Sequence, residues 1–218
     1  MSEAAIVSEY MREKLPPSNK STNQRRIVYG HGLNDADYET SSGSGAEKLT
    51  CLAYRSWTGV LERVFSEKYH KKKPSYLGVS ISNEWLSFMA FRAWWIDHHV
   101  DGWQIDKDMV SPGSRIYSAE TCVYVPSWIN QFVTDNARCR GEHPIGVTFD
   151  QGKFKAQCLS PVTRKNQHLG RYSTAEKAHS VWLDFKIKMA LLAKPEMDLI
   201  DPRIFHGAMR IIRGHTSP

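Results

Sequence analysis

The stretch Gln104 to Asn130, QIDKDMVSPGSRIYSAETCVYVPSWIN, gathers residues suited to chemistry. Asp106 and Asp108 bracket Lys107, and Asn130 follows beyond a Gly/Pro turn. Carboxylates at a strand end can meet a cation or move a proton, and a lysine between them can hold a phosphate. The same residues also suit plain structure: SPGSRIYS is a turn, Tyr117 and Tyr124 pack a hairpin, and Glu120 caps or pairs.

The surrounding pattern must position these groups. It predicts a strand through Asp106, a turn, a second strand, and a helix from about Ser127 to Asp135. Upstream, residues 2 to 14 read as a short helix stopped by Pro16-Pro17, and SNKSTNQRR as a polar linker. RRIVYGHGLNDADYETSSGSGAEK predicts one short strand and a Gly/Ser-rich loop. In LTCLAYRSWTGVLERVFSEKYH, Leu52, Trp57, Val60, Leu61 and Val64 recur at helical spacing. KKKPSY breaks that helix, LGVSIS alternates as a short strand, and Asn83 is placed to cap the helix NEWLSFMAFRAWWIDHH. Its stripe of Trp85, Phe88, Phe91, Trp94 and Trp95 reads as core, since such rings bury large areas.

Lys plus Arg number 29 against 23 for Asp plus Glu, a formal charge of +6 that favours polyanionic partners while also suiting an ordinary soluble protein. The 41% hydrophobic content excludes a disordered chain and predicts one to two compact domains. Cys51, Cys122, Cys139 and Cys158 lack CxxC spacing, so neither a zinc knuckle nor a disulfide framework is expected, and a reduced, cytoplasmic location is. No N-terminal apolar leader and no run near the roughly 20 apolar residues of a bilayer span is present, so no membrane role is expected.

Beyond NARCRGEHP, a polar segment read as a domain boundary, IGVTFDQGKFKAQCLSPVTRKNQHLGRYS holds three short strand candidates. The helix TAEKAHSVWLDFKIKMALLA follows, with Thr174 or Ser173 as cap and Glu176 within range of a capping box. On the second strand Phe154, Ala156 and Cys158 alternate with Lys153, Lys155, Gln157 and Leu159, predicting an apolar face toward the helix and a basic face outward. With regular pairing, Arg164, Asn166 and His168 share that outer face, and Arg171 lies further along. Such a face suits a DNA major groove, where Lys and Arg reach guanine or phosphate and Asn and Gln reach adenine; it equally suits a solvated sheet. The tail DPRIFHGAMRIIRG predicts one more short helix, basic on one face.

GVTFDQGKFKAQC…HLGRYSTAEKAHSVWLDFKIKMA resembles the plant ethylene-response-factor (APETALA-type) DNA-binding domain over about residues 144 to 193. The shared frame is GV, GK plus an aromatic, LG plus an aromatic, T-x-E-x-A and a helical tail. The plant pattern has arginines along the first strand and a tryptophan before LG, whereas this chain has Thr148, Asp150 and His168 there. The resemblance therefore implies groove docking by the sheet, with base preference not carried over.

Residues 26 to 135, with GLNDADY, YRSWTGVLERVFSEKYHKKKPSYLGVSISNEWLSF, IDKD and YSAETCVYVP..IN, resemble phage HNH-type endonucleases, in which such a domain precedes an ethylene-response-factor-like one. That resemblance implies one magnesium or manganese ion held by Asp106 and Asn130, with Asp108 assisting. Lys107 stands where the family places a histidine as base. A lysine, with an ordinary pKa of about 10.4, carries its proton at neutral pH and serves instead to hold phosphate or transition-state charge. Loss of a general base costs roughly 10²- to 10⁴-fold, which leaves slow cleavage. His99, with its neighbour His98, is one candidate replacement base, and His31 another; capping and solvent exposure are the structural readings of the pair. Asp35 and Asp37 read as turn residues or as metal ligands.

The expected fold is α+β, an HNH-like ββα-metal hairpin-helix unit embedded in helices, followed by a three-stranded antiparallel sheet packed on one helix. The expected divisions are a helix and linker (1–25), the nuclease-like domain (26–138), the DNA-binding domain (139–196) and a tail (197–218). The expected function is a homing-type DNA endonuclease acting on double-stranded DNA through Lys153, Lys155, Gln157, Arg164, Asn166, His168 and Arg171. The alternative is an inactive HNH-like protein that binds DNA or a host or phage protein, and Lys107 is its motive.

Overall fold

The computed structural model describes residues 1–23, 25–45, 48–111, 113–134 and 142–214. The architecture is mixed α+β, and the chain divides into two compact units. Residues 1–107 and 113–124 form the first; 108–112 and 125–218 form the second. Asp135, Cys139 and most of the expected boundary segment lie outside the described residues.

In the first unit, α1 (Glu3–Lys14) is capped by Ser2, whose hydroxyl accepts from the Ala5 amide. The supposed linker contains a single turn of helix, α2 (Asn19–Asn23). The strand expected near Arg26 is reduced to one bridge between Val28 and Gly32, because Tyr29 and Gly30 take positive φ and turn the chain back at once. Strands β1 (Ser41–Ser42) and β2 (Leu49–Thr50) pair antiparallel across the Gly/Ser loop.

The long helical pattern is two helices, α3 (Leu52–Phe65) and α4 (Glu67–Lys72), because Ser66 is extended and caps the second through the Tyr69 amide. Trp57, Val60, Leu61 and Val64 are buried as their spacing requires, whereas Leu52 is 37% exposed. A 3-10 turn, Pro74–Tyr76, leads to β3 (Ser80–Ile81). The helix expected to begin at Asn83 begins instead as a 3-10 turn, Glu84–Leu86, and Asn83 makes no side-chain cap. Ser87 caps α5 (Phe88–His98), its hydroxyl accepting from the Ala90 amide.

Trp85, Phe88, Phe91, Trp94 and Trp95 are all buried and form the centre of the first core. Tilted and edge-on packing, such as Trp85 on Phe91 at 5.0 Å and 82°, suits the ring quadrupoles. Trp57 joins them and donates its indole N–H to the Trp85 carbonyl at 2.7 Å, which removes the cost of burying that donor.

The stretch around Asp106 folds as β4 (Gln104–Asp106), β5 (Ile116–Tyr117), β6 (Val123–Val125) and α6 (Ser127–Val133). The strand after the Gly/Pro turn is not the partner of β4. Strand β4 pairs with β6, while β5 leaves to pair parallel with β3, Ile81 opposite Tyr117.

In the second unit, β7 (Val147–Asp150), β8 (Lys153–Leu159) and β9 (Asn166–Tyr172) form a three-stranded antiparallel sheet in that order. One face packs on α7 (Ala175–Ile200), where Val147, Ala156, Cys158, Ala178 and Trp182 make a second, smaller core. Thr174 caps α7 by accepting from Lys177, the third helical residue, so the capping box expected with Glu176 is not the arrangement. The helix continues past Pro195, beyond its expected end. Helix α8 (Pro202–Gly214) lays Ile204, Phe205, Ala208, Met209 and Ile212 inward and exposes Arg203, Arg210 and Arg213. Among the described residues, no helix is long and apolar enough to cross a membrane.

Candidate functional site

The outer face of the sheet follows from its register. Lys155 lies between Thr148 of β7 and Arg171 of β9, and Lys153 opposite Asp150. Regular alternation along β9 would put Arg171 on one face and His168 with Asn166 on the other. It does not, because the register shifts between Ala156 and Gln157: Ala156 pairs with Gly170, Gln157 with His168, and Leu169 is the extra residue. A bulge of this kind reverses the alternation beyond it. Lys153, Lys155, Gln157, Asn166, His168 and Arg171 thereby share one surface.

Gly170 permits the shift. Its φ is +123°, and a Cβ there would stand 2.7 Å from the Tyr172 hydroxyl. A glycine inside a strand pattern is the sequence signal for such a bulge.

Cross-strand charges shape the face. Arg171 donates to Asp150 at 2.7 Å and to the Gln151 side chain at 2.8 Å, reaching from β9 toward β7. Gln151, which turns β7 into β8 with φ 51°, was not foreseen as part of the surface. Arg164 sits before β9 at φ 56°, its guanidinium 4.4 Å over the Trp128 ring and 3.7 Å from Glu196.

A second cation lies beneath the sheet. Lys186, 6% exposed, holds its ammonium 4.1 Å from the Phe132 ring centre and 5.5 Å from that of Trp182. Burial lowers its pKa, which the Cys158 thiol opposes. Trp128 and Phe132, four residues apart on α6, are thus each covered by a cation of the sheet and helix region.

Of the residues from β4 to α6, Asp106 and Lys107 belong to the first unit, and Asp108 and Asn130 to the second. Asp106 is half-buried and Asp108 exposed. Lys107 is 8% exposed, and its ammonium donates to the Ser114 carbonyl at 3.4 Å, across the loop between β4 and β5. Among the described residues, no three or more His, Cys, Asp or Glu side chains are grouped to hold a metal ion. The donors proposed for one, two carboxylates and an amide, are hard oxygen groups of the kind magnesium accepts while keeping several waters.

No family model, curated protein or solved structure matches the chain. The functional reading therefore stands on its residues.

The remaining candidates have defined surroundings. His99 is stacked on Trp95 at 4.2 Å, meets the edge of the Tyr124 ring at 4.9 Å, and is 3.3 Å from Asp101 through Nε2. Burial lowers its pKa and the Asp101 carboxylate opposes the shift. Asp101 also accepts from the Glu3 and Ala4 amides, so it closes the first turn of α1. His98 pairs Nδ1 with the Trp94 carbonyl at 2.7 Å, and His31 stacks on Phe65 at 3.9 Å. Asp35 accepts from the Ser87 hydroxyl and the Met89 amide at the start of α5. Asp37 takes an ion pair from Arg12 at 2.7 Å, whose hydrogen bonds hold its carboxyl below the usual range. Those two acids are engaged in structure rather than with one another.

Proposed function

We propose that this chain binds double-stranded DNA through the outer face of its three-stranded sheet, as the targeting half of a homing-type endonuclease. The observation that carries the reading is the bulge at Leu169, which collects Lys153, Lys155, Gln157, Asn166, His168 and Arg171 on one surface. Cations on that surface supply phosphate contacts, and the amides and imidazole supply base-edge contacts in a major groove. In the same reading the Asp106 carboxylate, a hard oxygen donor, is a ligand to one magnesium or manganese ion. The ion would polarise a phosphodiester and activate water.

A second reading, binding without cleavage, is favoured by Lys107. Its burial and its bond to Ser114 tie it into the loop that follows β4, where the endonuclease family has a base.

Supercoiled and linear phage DNA incubated with the full chain and magnesium or manganese separates the two. Cleavage by the wild type that disappears in Asp106→Ala supports the endonuclease. Identical products from both proteins remove the assignment of Asp106. Salt-sensitive binding with no cleavage under either ion leaves the binding reading.

A further inference from the structure

The first unit carries a concentration of positive charge that runs from the end of the expected helix into KKKPSY, which reads in sequence only as a helix break. Lys68, Lys71 and Lys72 lie three and four residues apart on α4, and Lys73 ends it; all four are exposed. None of the four ammonium groups has a hydrogen bond or ion pair with a described residue. Like charges at this spacing oppose helix formation, and six residues are too few for a helix to persist on propensity alone.

Other contacts hold it. Ser66 caps its start at 3.2 Å from the Tyr69 amide, and the His70 Nε2 is 2.9 Å from the Arg63 carbonyl. Tyr69 packs edge-on against Tyr76 at 5.3 Å. Just beyond, the Arg115 guanidinium donates to the carbonyls of Leu77 and Gly78, pinning the following turn and adding a further cation. The lysines are thus displayed on a frame built in spite of their repulsion.

We infer that this lysine ridge is a second contact for double-stranded DNA, made to the phosphate backbone without regard to sequence. A polyanion relieves the repulsion that the frame tolerates, and duplex DNA offers a phosphate charge about every 1.7 Å along its axis. Four long side chains over roughly 8 Å of helix can reach several of those charges. An anionic bilayer is the poorer partner, because the exposed residues of α4 are Glu67, Lys68, Lys71 and Lys72, with no apolar side chain to insert. The ridge lies in the same unit as Asp106. It extends the DNA reading to the first unit and does not depend on the sheet.

The test is the salt dependence of duplex binding by the full chain, measured by fluorescence anisotropy on two unrelated DNA sequences. Three proteins are compared: the wild type, a ridge variant (Lys68→Gln, Lys71→Gln, Lys72→Gln, Lys73→Gln) and a sheet variant (Lys153→Gln, Lys155→Gln). The ridge variant is expected to reduce the slope of log K against log salt by roughly 3 to 4. It should weaken both DNAs equally, and Arg at the four positions should restore the slope. An unchanged slope in the ridge variant while the wild type binds DNA overturns the ridge and leaves the sheet reading standing. Slope loss in the ridge variant alone, with the sheet variant like the wild type, supports the ridge and removes the sheet. Absence of wild-type binding at low salt overturns both. Far-UV circular dichroism of the ridge variant must match the wild type, so that a loss reports contact rather than unfolding.

Discussion

Arg171 and His168 stand on the same face of β9 although three residues apart, because the backbone spends Leu169 on a bulge opposite the step from Ala156 to Gln157. A side chain on Gly170 would meet the Tyr172 hydroxyl at 2.7 Å from a backbone with φ of +123°. Gly170→Ala is therefore expected to destabilise the second unit by about 1–3 kcal/mol. It should also weaken DNA binding, since the face loses its common register. Urea unfolding and anisotropy check both; a variant as stable and as tight as the wild type would show the bulge to be dispensable.

Asp150 is the acid that the sheet face sets against its own cations, 2.7 Å from Arg171. Both partners are well exposed, so the pair adds little stability, about 0–1 kcal/mol. Asp150→Asn is expected to leave the melting temperature nearly unchanged and to tighten DNA binding, with a steeper salt slope as Arg171 becomes available to phosphate. Weaker binding would mean that the pair positions Arg171 instead of restraining it.

Stability should fall in mild acid because of His99. Burial sets its folded pKa below the ordinary 6.5, so the fold prefers the neutral ring. The unfolded chain then takes up the proton first as pH drops. Its contribution is complete above pH 6.5 and is lost as pH falls through the lower folded value. His99→Phe should flatten this part of the pH profile, measured by chemical denaturation from pH 7.5 to 5. Asp101→Ala should cost about 0.5–2 kcal/mol at pH 7.5, because the Glu3 and Ala4 amides lose their acceptor, and more toward pH 5, because the carboxylate that favours the charged His99 ring is gone.

Lys186 tests what a buried cation between rings contributes. Its lowered pKa means that keeping the ammonium charged inside the fold is a cost, offset by the faces of Phe132 and Trp182. Lys186→Met retains the stem without the charge and is expected to match or exceed wild-type stability at neutral pH. Lys186→Ala loses the stem as well and should fall roughly 2 kcal/mol or more below the Met variant. As pH rises toward 10.5, the wild type should gain on the Met variant, since deprotonation is easier in the fold. Equal melting temperatures for Ala and Met would show that the side chain packs nothing.

Much of the fold was legible because it repeats locally. The spacing of Trp57, Val60, Leu61 and Val64 marks a buried helix face, and the alternation of Phe154, Ala156 and Cys158 marks the inner face of β8; both hold in the structure. The aromatic stripe from Trp85 to Trp95 was legible as core for the same reason. Caps were less so. Asn83 and Ser87 both suit a helix start, and Ser87 serves because the intervening residues form a 3-10 turn.

The candidate site was legible as a set of residue types. Charge, the basic alternation of β8 and the carboxylates around Lys107 depend on composition and near neighbours, and the sequence by itself determined them. Gly170 permits a bulge, but tertiary structure decided the register that turns Asn166, His168 and Arg171 to one side, and the pairing of β4 with β6 while β5 joins β3. It also decided the burial of Lys107 against Ser114. Register, partner choice and burial depend on which distant segments meet, and periodicity along the chain carries no term for that.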